Sequence, residues 1–194
     1  MKKSYFMRTF RLNGSLLFIS VLLLVADIGF KLLGLFLQGQ GNISMVKYTQ
    51  FLYKYVMIIQ HGLQQVLIVS ILITFVVTLP ELITRCMKDS VVNIGRSIWL
   101  TSRIRKFLQM RVTHEEEENK IFKYNKAVSK AIIDVRNDSV MFLIKVPNDF
   151  GIRSMIKDNQ DFIREDVAHR LTEYSFSNVI RDKNYIRLEG TRIR

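Results

Sequence analysis

The chain has 194 residues, 48% of them hydrophobic, with nine Gly, two Pro and one Cys, and its 29 Lys and Arg exceed its 17 Asp and Glu to give a net charge of +12. Abundant Ile, Leu, Val and Phe exclude a disordered chain, the lone Cys86 excludes a disulfide-built module, and the few Gly and Pro exclude a collagen-like or low-complexity one. A mean hydropathy of +0.12 beside so many cations requires the apolar residues to be concentrated in one part of the chain.

After a basic N-terminus, residues 1–14, the stretch 15–37 is apolar from Ser15 to Leu37. At about 1.5 Å per helical residue it exceeds the roughly 30 Å of a bilayer core, which predicts a first transmembrane helix. A second span is predicted over 56–79, from Val56 to Leu79, with Pro80 at its exit. The alternative for the N-terminus is a secretory signal peptide, but the apolar stretch continues past Asp27 without a small-x-small cleavage pattern, which favours a retained helix. Residues 1–14 carry Lys2, Lys3, Arg8 and Arg11, and residues 81–112 carry seven Lys and Arg, whereas the loop 38–55 carries only Lys47 and Lys54. The positive-inside rule then places both termini in the cytoplasm and the loop 38–55 outside the cell membrane. From Thr113 to Arg194 there are 15 Lys and Arg against 14 Asp and Glu, so the basicity belongs to the membrane flanks and predicts no direct nucleic-acid binding.

Within the spans, Asp27 and Lys31 stand four apart on one helical face, and the second span carries Gln60, His61, Gln64 and Gln65 in its outer half. Counted from the cytoplasmic ends, Asp27 and Lys31 fall near the depth of Leu67 and Leu63, which predicts an intramembrane polar cluster of Asp27, Lys31, Gln64, Gln65 and His61. Such a cluster has two readings, an ion path or signal-sensitive pair, and polar contacts that hold a hairpin or an oligomer together.

Residues 80–127 form a basic juxtamembrane helix and an acidic linker. Thr78 and Glu81 stand at capping-box spacing with Pro80 between them, predicting a helix that starts afresh there. Ile94, Ile98, Leu100, Ile104, Phe107 and Leu108 make a loose apolar stripe. Arg96, Trp99, Arg103, Arg105 and Lys106 are then the basic and aromatic residues of a helix facing anionic lipid. The alternative is a helix packed on the soluble domain. In the linker, His114 among Glu115 to Glu118 lacks a second His or a Cys at ligand spacing, and reads as a solvated helix start rather than a metal site.

Residues 128–194 read as a small cytoplasmic α+β domain. Strands are predicted at Ala131–Val135 and Val140–Val146 around the turn 136–139. A helix capped by Asn148 follows to about Leu171, then strands at Tyr174–Ser177 and Tyr185–Leu188. The fold class is thus a two-pass transmembrane α-helical hairpin followed by a ββαββ domain. Asp158, Asp161, Glu165 and Asp166 suit a solvated helix face, and Tyr174, Phe176 and Tyr185 suit a sheet core better than a base-stacking platform. Cys86 is either an acylation site or an inert thiol.

The chain contains no phosphate loop, dinucleotide fingerprint, nucleophile elbow, zinc-protease or CxxC motif, so neither an enzyme nor a bound cofactor is expected. The two spans and basic helix lead to Ile144-Lys145-Val146-Pro147 before the helix, Tyr174-Ser175-Phe176, and Tyr185-Ile186-Arg187-Leu188-Glu189-Gly190-Thr191. Together they resemble the N-terminal membrane-anchor region of FtsK/SpoIIIE-type coupling proteins of Gram-positive conjugative elements. In that family a DNA-pumping ATPase follows the anchor. These 194 residues contain no motor motif, so the resemblance implies a detached anchor, an accessory subunit or a truncated relative, and carries over no functional residue. The expected function is that of a non-enzymatic adaptor in the lipid bilayer. It self-associates as a homo-oligomer and docks a partner such as the motor ATPase or channel subunit of a DNA-transfer or secretion machine. The alternative is a stand-alone oligomeric effector or sensor whose cytoplasmic domain gates the transmembrane bundle.

Overall fold

The computed structural model describes residues 4–39, 46–111, 118–182 and 184–193. Two compact units result, one of residues 8–81 and one joining residues 1–7 to 82–194. The acidic run from Thr113 to Glu117 lies outside the described residues.

The first unit is a helical pair. Helix α1 runs Tyr5–Gly39 and α2 runs Val46–Lys88, so each is longer than the span expected within it. Between residues 13 and 37 of α1 a stripe of reduced exposure runs through Asn13, Leu16, Ser20, Leu23, Asp27, Phe30, Gly34 and Leu37, with Ala26 beside it; between residues 53 and 77 of α2 one runs through Tyr53, Val56, Gln60, Leu63, Leu67, Ser70, Thr74 and Val77. Both sets alternate steps of three and four, the 3.5-residue period that keeps one seam facing a partner along a left-handed pair. The seam's small residues set the approach: Ser20 Oγ lies 2.8 Å from Ser70 Oγ, and a Cβ on Gly34 would sit 3.9 Å from Tyr53 and Val56. The remaining faces are exposed and mostly apolar, with Lys31, His61, Gln64 and Gln65 among them.

Pro80 does not start a new helix. α2 continues through it, and Thr78 Oγ1 donates to Thr74 O at 2.9 Å and to Phe75 O at 3.1 Å instead of capping. A hydroxyl turned back onto the preceding turn is the usual outcome when Ser or Thr sits inside a helix. The break comes at Asp89 and Ser90, where Ser90 Oγ accepts the Val92 N–H and α3 begins, Val91–Leu108.

The second unit contains α3, α4 (Glu118–Val128), β1 (Ile132–Val135), β2 (Ser139–Lys145), α5 (Phe150–Asp158), α6 (Gln160–Arg170), β3 (Tyr174–Phe176), β4 (Ile180–Asp182) and β5 (Tyr185–Arg192). The antiparallel sheet has the order β1-β2-β5-β3, with β4 also on β5. The predicted ββαββ pattern is therefore present with two additions: β4, and a division of the predicted helix at Asn159. There the side-chain amide donates to Met155 O at 2.7 Å, in competition with the helical ladder. Asp149, rather than Asn148, caps α5, its Oδ1 accepting from Gly151 N and Ile152 N. Asn148 Oδ1 accepts from Arg153 instead.

One sheet face, bearing Ile133, Val135, Val140, Phe142, Ile144, Ile186 and Leu188, forms the core with Ile152, Ile156, Ile163, Val167 and Leu171. Leu100, Ile104, Leu108, Tyr124 and Val128 from α3 and α4 complete it. Helices α3 and α4 therefore belong to the domain, which begins well before residue 128. On β5, Gly190 faces Phe176 across the β3 pairing, and a Cβ there would meet the Phe176 ring at 2.7 Å, so the ring occupies the space a side chain would need.

Strand β1 is an edge strand, yet all four of its residues are buried. Its outward N–H groups are taken by side chains of α3: Val135 N donates to Ser97 Oγ at 2.8 Å and Ile133 N to Thr101 Oγ1 at 3.0 Å. Arg105 Nε donates to Ala131 O at 2.8 Å, and Asn93 Nδ2 to Asn137 Oδ1 at 2.9 Å. Positions 93, 97, 101 and 105 thus meet 137, 135, 133 and 131, four helical residues to two strand residues. The isosteric Thr101→Val variant leaves a buried N–H unpaired and should cost about 1–3 kcal/mol in chemical denaturation of the full chain in mild detergent; a loss below about 0.5 kcal/mol would show that the bond contributes little net stability.

Candidate functional site

Three groupings of polar residues stand out from the core, and the predicted site residues are divided among them. The first is in the helical pair. Asp27 is 4% exposed, and one carboxylate oxygen is 2.7 Å from Lys31 Nζ, as the i,i+4 spacing predicts. Its Oδ1 takes no hydrogen bond among the described residues. His61 Nε2 lies 3.2 Å from Gln65 Nε2 one turn along α2, and His61, Gln64 and Gln65 are exposed. The expected cluster is thus distributed as two intrahelical pairs, with Gln60 rather than Gln64 or Gln65 on the seam. The physical reason is angular: the Ser20–Ser70 and Gly34–Val56 contacts set Asp27 level with Leu63, one turn from the depth expected, but the seam of α2 runs through Gln60, Leu63 and Leu67, which turns Gln64 and Gln65 to the exposed side. The Ser20–Ser70 contact, which crosses between the helices, was absent from the sequence reading.

The second grouping is a buried ionic knot that the sequence reading missed. Arg85, in the last turn of α2, is 1% exposed. Its guanidinium pairs with both Asp89 and Asp134 and donates to Val135 O at 2.7 Å. Asp134 points away from the core face of β1, where Arg136 Nε lies 3.3 Å from its other oxygen. Asp89 Oδ1 accepts from Asn137 N and Asn93 Nδ2, both at 2.8 Å. The Phe6 ring, 5.7 Å from the guanidinium carbon, lies over it as a cation–π partner. Burial alone would raise the Asp89 carboxyl, but the Arg85 guanidinium, the Asn137 N–H and the Asn93 amide together outweigh it and hold Asp89 below its ordinary value.

The third grouping is the outer face of α3. The buried face runs through Asn93, Ser97, Leu100, Thr101, Ile104 and Leu108, so the helix packs on the domain. Ile98 and Phe107, expected on the apolar stripe, are exposed with Val91, Val92 and Trp99. Arg103 lies over the Trp99 ring at 5.0 Å, and Lys106 and Phe107 continue the surface toward Arg170. Arg105, expected on the lipid side, turns to the edge of β1, because its long side chain reaches a carbonyl there. Arg96 pairs with Glu173, which the guanidinium holds below its ordinary value.

Cys86 is an exposed free thiol. Tyr174 is buried and donates from its hydroxyl to Arg136 O at 2.7 Å, a core role, with Phe176 on Gly190. Asp158, Asp161 and Glu165 are exposed, whereas Asp166 forms a two-bond pair with Arg170. Asp27, Arg85, Asp89 and Asp134 are each engaged with an opposite charge.

Removing the guanidinium in Arg85→Met strands two carboxylates and should cost about 3–5 kcal/mol in a denaturation midpoint measured near neutral pH. Because the folded Asp89 pKa is depressed, its contribution is complete above the unfolded carboxyl value of about 3.9 and is lost as pH falls through the folded value. Stability of the unaltered chain should therefore decline below about pH 4, and Arg85→Met should flatten that part of the profile; an unchanged slope would remove Asp89 as its source.

No protein-family model, curated protein or solved structure matches the chain.

Proposed function

We propose that the chain is a two-pass membrane anchor and adaptor, non-enzymatic, with both termini in the cytoplasm and the second unit offered to a cytoplasmic partner. The observation that carries this reading is the exposure of the apolar helices. Each is long and apolar enough to cross a bilayer, yet only 11% and 17% of their most apolar 18-residue stretches is buried. Helices of a soluble core bury such surface, and a water-facing apolar area of this extent is unfavourable by about 25 cal/mol per Å², which a hydrocarbon environment removes. The outer face of α3, with Trp99, Arg103 and Lys106, adds a surface suited to anionic headgroups.

Self-association is supported by the exposed polar groups on those helices. Lys31, His61, Gln64 and Gln65 face outward from the pair, and in hydrocarbon they gain by meeting polar groups of a second copy. The similarity to the anchor region of FtsK/SpoIIIE-type proteins suggests the motor ATPase or channel subunit of a DNA-transfer or secretion machine as partner.

The protein should remain in the membrane pellet after alkaline carbonate extraction, and tags on both ends should be protected in right-side-out vesicles. A chain released by carbonate would overturn the membrane reading. Gln64→Leu with Gln65→Leu should lower the oligomeric order in mild detergent, and a C-terminally tagged chain should recover an ATPase or channel subunit at comparable abundance. Recovery of a homo-oligomer alone, with depolarisation of cells on overexpression, would instead favour the stand-alone effector.

A further inference from the structure

We propose that a cleft between α4, the end of β2 and the start of α5 binds a polyphosphorylated small molecule of nucleotide size, its phosphates held by Lys123, Lys126, Lys130 and Lys145. This inference is independent of the membrane and adaptor reading.

The chain brings the four lysines to one cleft by two periodicities. Lys123, Lys126 and Lys130 are spaced three and four apart, so they share one side of α4 and the turn after it, while Ile121, Tyr124 and Val128 on the other side enter the core or its margin. Lys145 projects from β2 between Ile144 and Val146, which are buried, and so points away from the core. All four line a cleft of about 420 Å³, within the range of small-molecule sites.

Beyond α3 and its flanks, the cationic charge is concentrated at this cleft. Residues 113–194 carry 15 Lys and Arg against 14 Asp and Glu, yet the cleft sets four lysines around the single carboxylate of Asp149. That carboxylate is already committed: Oδ1 caps α5, and Oδ2 lies 3.3 Å from Lys123 Nζ. Among the described residues no carboxylate lies within ion-pair distance of Lys126, Lys130 or Lys145. Like charges around a concave wall raise the local potential, and an anion of several charges relieves the repulsion of all of them at once.

The cleft also has an apolar floor, made by Val146, Pro147 and Ile152, with the Asn184 amide at its rim. A bare phosphate would leave that floor unused. A nucleotide places its phosphates among the ammonium groups and its flat base over the floor, with an amide at hand for the base edge.

The test is calorimetric titration of the full chain in neutral detergent with ATP, pyrophosphate and adenosine. ATP should bind with a dissociation constant below about 1 mM, more tightly than pyrophosphate, and more weakly as salt is raised. Lys130→Gln and Lys145→Gln should each weaken ATP about tenfold, while Lys157→Gln, outside the cleft, should leave it unchanged. Absence of ATP binding, equal affinity in the Lys130→Gln/Lys145→Gln double variant, or equal binding of adenosine would overturn the proposal. Repeating the titration in nanodiscs with and without phosphatidylglycerol separates free from lipid phosphate: equal ATP affinity is expected, and its loss in the anionic discs would overturn the small-molecule assignment.

Discussion

The hydroxyls of Ser97 and Thr101 are the hinge of the domain's architecture. An edge strand exposes a row of N–H and C=O groups that either attract another strand or remain in water. Here β1 is buried on both faces, so water is not available to it, and each outward N–H would be left unpaired without α3. Once α3 is seated along that edge, Leu100, Ile104 and Leu108 are delivered to the core. The carbonyl of Val135, on that same edge, and the carboxylate of Asp134 then present a receptor for Arg85. The ion pairs are consistent with the same logic, because a buried guanidinium is tolerated only where several acceptors surround it.

The helical pair follows a different constraint. Its seam is specified by small and polar residues rather than by bulk, with Ser20, Gly34 and Ser70 at the points of approach. In hydrocarbon, where apolar side chains gain nothing by leaving the solvent, close approach and hydrogen bonding are what remain to pair two helices. The two units thus draw on opposite physics, one excluding water from an apolar core and the other exposing a mostly apolar surface away from its seam.

Much of this was legible from residues alone. The apolar lengths located both long helices, and the turn 136–139 and the alternation after it located β1 and β2 within a residue. The fresh helix start expected at Thr78–Glu81 is absent, because a Pro and a capping pair carry the same signal whether or not a helix enters from upstream. β4 was missed because three residues give too short a pattern to show alternation. The depth of Asp27 relative to α2 depends on where the connecting loop turns, which composition does not encode. Arg85 was counted as one more cation for topology, although a periodic signal was present: Arg85, Asp89, Asn93, Ser97, Thr101 and Arg105 recur every fourth residue. Polar residues at helical spacing carry no sign of burial by themselves, so the repeat alone does not separate a solvent face from one that covers a strand.

That repeat of four also limits itself. Each step of four advances a helix by about 6.0 Å and two strand residues advance by about 6.7 Å, so the rungs nearly match in height. In angle they do not, because four residues turn about 40° beyond a full revolution, and successive rungs swing progressively off the strand. The short hydroxyls accordingly occupy the two middle rungs, while the outer ones use Asn93 and the long side chain of Arg105. A β1 extended by another rung would meet a helical position turned about 40° further off the strand, so the pitch of a helix bears on how long a strand it can cover.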